Sequence, residues 1–194
     1  MTKEDKIFLL NLARMEIAKI LKMQWRGYKN VVVPEPSMAL KQATGTFVTL
    51  TIKDELRGCI GQIIPKDPIE KTIKQNAVSA AFYDPRFPQL ETEEFDLLKL
   101  EISILSKPEQ LIYDGAEDLL KKIQQNVQGL IIKLGGHSAT FLPQVWEEIK
   151  TKEEFLMHLC MKASLSPDEW RKGKLEVQTY TVEHFNEKEL GLTL

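Results

Sequence analysis

Paired runs of alternating residues, joined by short turns, constrain this chain more than any other feature. Thr46 to Ile52 alternates apolar and polar residues, Lys53-Asp54-Glu55 reads as a turn, and Leu56 to Ile64 returns as a second strand. Gly129 to Leu134 and Ser138 to Leu142 repeat the pattern around a Gly135-Gly136-His137 turn. Lys99 to Ser106 sets Leu100, Ile102 and Ile104 on one face, Glu101 and Ser103 on the other, and Leu175 to His184 closes the chain as a last strand. Strands that come mostly as hairpins give an antiparallel or mixed sheet with helices against it, an α+β fold. A strand followed by a glycine-rich phosphate loop and a helix is missing, so a doubly wound nucleotide fold is not expected.

The intervening segments supply the helices. Thr2 reads as an N-cap with acids behind it, and Ile7, Leu10, Ile17, Ile20 and Leu21 form an apolar stripe on a helix reaching about Trp25. From Gly27 to Gly45 the period breaks around Pro34 and Pro36, a surface connection. Asp67-Pro68 predicts another helix start, with Asp67 as N-cap and Ile69, Ile73, Ala77 and either Ala80 or Ala81 facing the core. Pro85 ends that helix, because the residue before a proline is pushed out of the helical region. Further helical stretches are predicted at Thr92–Leu97, Glu117–Ile123, Pro143–Ile149 and Lys152–Leu165, with a short turn from Pro167 to Trp170.

Composition narrows the class of function. At 194 residues the chain can bury a sizeable core as one domain with a smaller lobe. Its net charge of −2 gives no broad electrostatic reason to expect nucleic acid or an anionic membrane as partner. Two cysteines cannot make a disulfide framework or supply three cluster ligands, no leader is visible, and no apolar run could span a bilayer. A cytoplasmic protein is the expectation. Nucleophile-elbow, paired-histidine and kinase signatures are missing, and the spacing of His158 and Cys160 on a helix does not make a metal site. No cofactor and no metal are expected.

The candidate site is Leu56-Arg57-Gly58-Cys59-Ile60-Gly61. Strict alternation would put Arg57, Cys59 and Gly61 on one face, where a guanidinium lowers a thiol pKa and a glycine leaves room for another molecule. Cys59 is the candidate nucleophile, ligand or covalent carrier; the other reading is a small residue in a strand whose glycines serve close packing. Arg57 either clamps a carboxylate or phosphate or pairs with an internal acid, Glu101 being one candidate. Asp84 and Arg86, flanking Pro85, and the aromatic Phe87 could rim a pocket beside the motif, or hold a helix-stop loop by an Asp–Arg hydrogen bond. Gly58, Gly61 and His137, in its glycine turn, complete the candidate binding residues.

Five blocks resemble one family, the domain family of the AMME syndrome chromosomal region. They are Leu56 to Gly61, Ala80 to Phe87 (Ala-Ala-Phe-Tyr-Asp-Pro-Arg-Phe), Leu100 to Leu105, Phe141 to Glu148 and Phe155 to Ala163. With their spacers they cover nearly the whole chain. The resemblance implies one domain over residues 1–194, with a smaller lobe inserted between the N- and C-terminal parts of a larger one. It implies no firmly assigned reaction. It also implies the bacterial and archaeal type found as component A of a three-gene set, beside a Memo-like protein and a radical SAM enzyme. The expected function is therefore a component of a modification or biosynthetic pathway that binds, or binds and reacts with, a small molecule or partner protein at a cleft around Leu56–Gly61. The alternative is a non-catalytic adaptor whose motif is structural.

Overall fold

The computed structural model describes residues 1–29, 31–64 and 66–193; Asn30, inside the expected Gly27–Gly45 connection, lies outside the described residues. The Thr2 hydroxyl accepts the Asp5 N–H at 3.1 Å and opens helix α1 (Lys3–Ile20). The helix stops short of Trp25 because Lys22, with φ of 57°, has left the right-handed region. Its buried face includes Leu9, Leu10, Ala13 and Ile17, whereas Ile20, expected on the stripe, is 52% exposed.

The first hairpin joins β1 (Thr46–Ile52) to β2 (Glu55–Gln62). Its turn is two residues, not three. Lys53 and Asp54 both take positive φ, 53° and 66°, the geometry whose twist matches that of the flanking strands. β3 (Leu98–Leu105) pairs with the other side of β1, antiparallel. Helix α2 (Ile69–Phe82) lies across this sheet and buries Ile69, Ile73 and Ala77 as its spacing predicts, together with both Ala80 and Ala81. Its start differs from expectation: Pro68 stays extended ahead of the helix, no side chain caps it, and the Asp67 carboxylate accepts from Lys71 instead. The Thr92–Leu97 stretch is a 3₁₀ turn with a capping box between Glu91 and Glu94.

Further along, a two-residue strand β4 (Glu109–Gln110), too short to carry a period, pairs with the late strand β7 (Glu176–Asn186). Between them come α3 (Gly115–Lys122), the hairpin of β5 (Gln128–Leu134) and β6 (His137–Phe141), and α4 (Lys152–Lys162). The strand pairings of this part are antiparallel as well. The fold is thus α+β, with an antiparallel sheet built on hairpins and flanking helices.

The chain divides into two units: Met1–Leu105 with Glu183–Leu194, and Ser106–Val182. The first gathers the apolar faces of α1, α2, β1 and β3, joined by Phe185 and Leu192 from the chain's end. The second has its own core, in which Trp146 stacks on Phe155 at 3.7 Å beside Leu159, Cys160 and Trp170.

Candidate functional site

Strand register decides what each motif residue can do. On one face Gly58, Leu50 and Leu100 align across three strands, and this face meets α2. A Cβ at Gly58 would fall on the Ala80 carbonyl oxygen, so this glycine lets helix and strand backbones touch. On the other face Cys59, Thr49 and Glu101 form one row, and Gly61, Phe47 and Ser103 the next. A Cβ at Gly61 would run into the Thr46 carbonyl and the Phe47 ring. The room expected beside the two glycines is therefore taken up by the protein's own packing.

Arg57 departs from the expected alternation. The register shifts between Leu50, opposite Gly58, and Thr51, opposite Leu56, so Arg57 is the extra residue of a β-bulge. Its guanidinium turns to the loop after α2. There Nε and Nη2 donate to the two carboxylate oxygens of Glu94 at 2.7 and 2.9 Å, and Nη1 and Nη2 donate to the Pro88 and Gln89 carbonyls. Hydrogen bonding holds the Glu94 carboxyl below its ordinary range and raises the Arg57 pKa. Arg57 thus pairs with an internal acid, Glu94, and not with Glu101. Glu94 escaped sequence reasoning, because Glu91, three residues before it, is not one of the Ser, Thr, Asp or Asn residues that mark a capping box in sequence.

Asp84 and Arg86 hold Cys59 from the strand's outer edge. The Cys59 N–H donates to Asp84 Oδ2 at 2.9 Å, and Arg86 Nη2 donates to the Cys59 carbonyl at 3.1 Å. Arg86 Nε and Nη2 also donate to Asp84 Oδ1 and Oδ2, at 2.9 and 2.7 Å. The loop thereby supplies the donor and acceptor that a neighbouring strand would have offered to β2. Asp84 is 3% exposed, and the Arg86 guanidinium, with the Cys59 and Arg86 N–H groups, holds its carboxyl well below the ordinary carboxylate range. Phe87 lies under the Arg86 guanidinium, 5.5 Å from centroid to carbon. The Asp–Arg bond of a helix-stop loop is present, and the same loop clamps the motif.

With its backbone fixed on both sides, Cys59 is half-buried, and Thr49 Oγ1 donates to its Sγ at 3.3 Å. Cys160 is fully enclosed in the second unit, where burial pushes its thiol pKa up. His137 is the first residue of β6 rather than a turn residue, and its Nδ1 lies 3.0 Å from the Ala163 carbonyl. It belongs to the second unit, Cys59 to the first. Among the described residues no group of three or more His, Cys, Asp or Glu could hold a metal ion. Nor does any described helix have the length and apolarity to cross a membrane.

The AMMECR1 family model matches residues 10–185. The chain belongs to the AMMECR1 family. Among relatives of this AMMECR1 chain, Protein MK0488 of Methanopyrus kandleri is 36% identical over 97% of this chain and 91% of its own. Protein NEQ441 of Nanoarchaeum equitans is 38% identical, covering 92% of this chain and 99% of its own. The crystal structure of an uncharacterized protein, PH0010 of Pyrococcus horikoshii, superposes with a TM-score of 0.76 at 36% identity, covering 97% of this chain and 94% of that one.

Proposed function

We propose that this AMMECR1 chain is a cytoplasmic component of a modification or biosynthetic pathway. On this reading it binds, and reacts with, a small molecule or partner protein at the sheet face that carries Cys59. One observation carries it. Of Arg57, Gly58, Cys59 and Gly61, Cys59 alone has a side chain that internal packing and ion pairing leave uncommitted, with only the Thr49 hydroxyl on its sulfur among the described residues. A backbone clamped at N–H and carbonyl presents that sulfur in one position, as a reacting group requires.

Alkylation with iodoacetamide tests this. Native protein should take up one equivalent, lost in Cys59→Ser, while Cys160 reacts only after unfolding. Equal native labelling of wild type and Cys59→Ser would remove the thiol from the proposal. A second reading, the adaptor, is favoured by the internal use of both glycines and of Arg57. It expects a Memo-like protein or radical SAM enzyme to co-elute with this chain in gel filtration, whether or not Cys59 is alkylated.

A further inference from the structure

A cavity of about 620 Å³ opens in the first unit beside β1 and β3, with the chain from Asn186 to Thr193 forming its other wall. That volume is typical of small-molecule sites. Its charged lining cancels, three cations against three anions: Arg14, Lys99 and Lys188 face Asp54, Glu101 and Glu187. Four of the six are already paired. Arg14 Nε donates to Glu187 at 2.7 Å, and Lys99 Nζ to Asp54 at 2.6 Å. Glu101 and Lys188 remain: among the described residues neither side chain has a direct ion pair or hydrogen bond, and the exposed Lys188 lies near enough to Asp54 to help hold that carboxyl below its ordinary range. Glu101 is half-buried, and among the described residues no protein donor reaches its carboxylate.

One unpaired acid and one unpaired base in the same cavity discriminate between ligand classes. A simple anion would meet Glu101, and a simple cation would meet Lys188. A molecule carrying both charges satisfies the two, and Thr49, Thr51 and Asn186 line the same cavity with neutral hydrogen-bonding groups. We propose that this cavity binds a small zwitterion of the amino-acid type, its ammonium on Glu101 and its carboxylate on Lys188. The cavity adjoins the thiol, since Thr49, which donates to the Cys59 sulfur, is part of its lining, but the lining does not include Cys59 and the inference does not require the thiol to react.

The probes are the free proteinogenic amino acids, each also as its N-acetyl and amide derivative, titrated into the full chain by calorimetry and saturation-transfer NMR. At least one free amino acid should bind at millimolar concentration or below, and either derivatisation should weaken it about tenfold or more. Glu101→Gln should erase the preference over the N-acetyl form, and Lys188→Met the preference over the amide. Both are peripheral changes, and an unchanged thermal melt checks the fold. Cys59→Ser should bind as wild type does, which separates this result from the alkylation result. Absence of binding by every free amino acid, or binding indifferent to both derivatisations, would overturn the proposal.

Discussion

Asp84 is the residue on which the geometry of the motif turns. It accepts the Cys59 N–H and both ends of the Arg86 fork while almost wholly enclosed. Because its folded pKa lies below the ordinary value near 4, it binds a proton more weakly when folded than when unfolded. Its stabilising contribution is therefore complete above about pH 5 and is lost as pH falls through the acid range. Asp84→Asn should lower stability by roughly 2 kcal/mol at neutral pH, the scale of a charged hydrogen bond. The gap from wild type should close as urea melts are repeated toward pH 2. A gap that stays constant with pH would mean the charge contributes nothing. The loop's proline and its flanking Asp and Arg were readable in the sequence. That they grip the Cys59 peptide was not, since residues 25 apart share no local signal.

At the scale of elements, periodicity located strands well and helix ends less well. β1 begins and ends where alternation does, because a strand buried on one face needs a period of two. Helix α1 hid its most demanding residue in mid-stripe. Arg14 is 0% exposed and donates to Glu187 Oε1 and Oε2 and to the Phe95 carbonyl, while Tyr28 donates to the same carboxylate at 2.7 Å. Burial beside that carboxylate drives the Tyr28 phenol pKa far upward, so it serves as a permanent donor. Arg14→Met would leave the Glu187 carboxylate buried without its cation. The expected loss is about 3–5 kcal/mol by chemical denaturation, partly recovered when Glu187→Gln is added. No recovery in the double variant would refute the pairing as the cause.

For the whole molecule, the division into Met1–Leu105 with Glu183–Leu194 and an uninterrupted Ser106–Val182 has an experimental consequence. The second unit is one contiguous stretch with its own aromatic core, so residues 106–182 expressed alone should melt cooperatively by circular dichroism. A chain ending at residue 182 should unfold its first unit, having lost Phe185 and the Glu187 partner of Arg14. A non-cooperative melt of 106–182 would show that the core does not suffice. The α+β class, the hairpins, most of the buried face of α2 and the family could be read from the residues in order, because these rest on local period and on blocks of adjacent residues. The motif's internal roles emerged from packing in three dimensions: the bulge that turns Arg57 to Glu94, the Ala80 carbonyl against Gly58, and the Asp84–Arg86 clamp on Cys59. Each of these joins residues more than twenty positions apart, where strand register and helix placement, rather than spacing along the chain, set which groups meet.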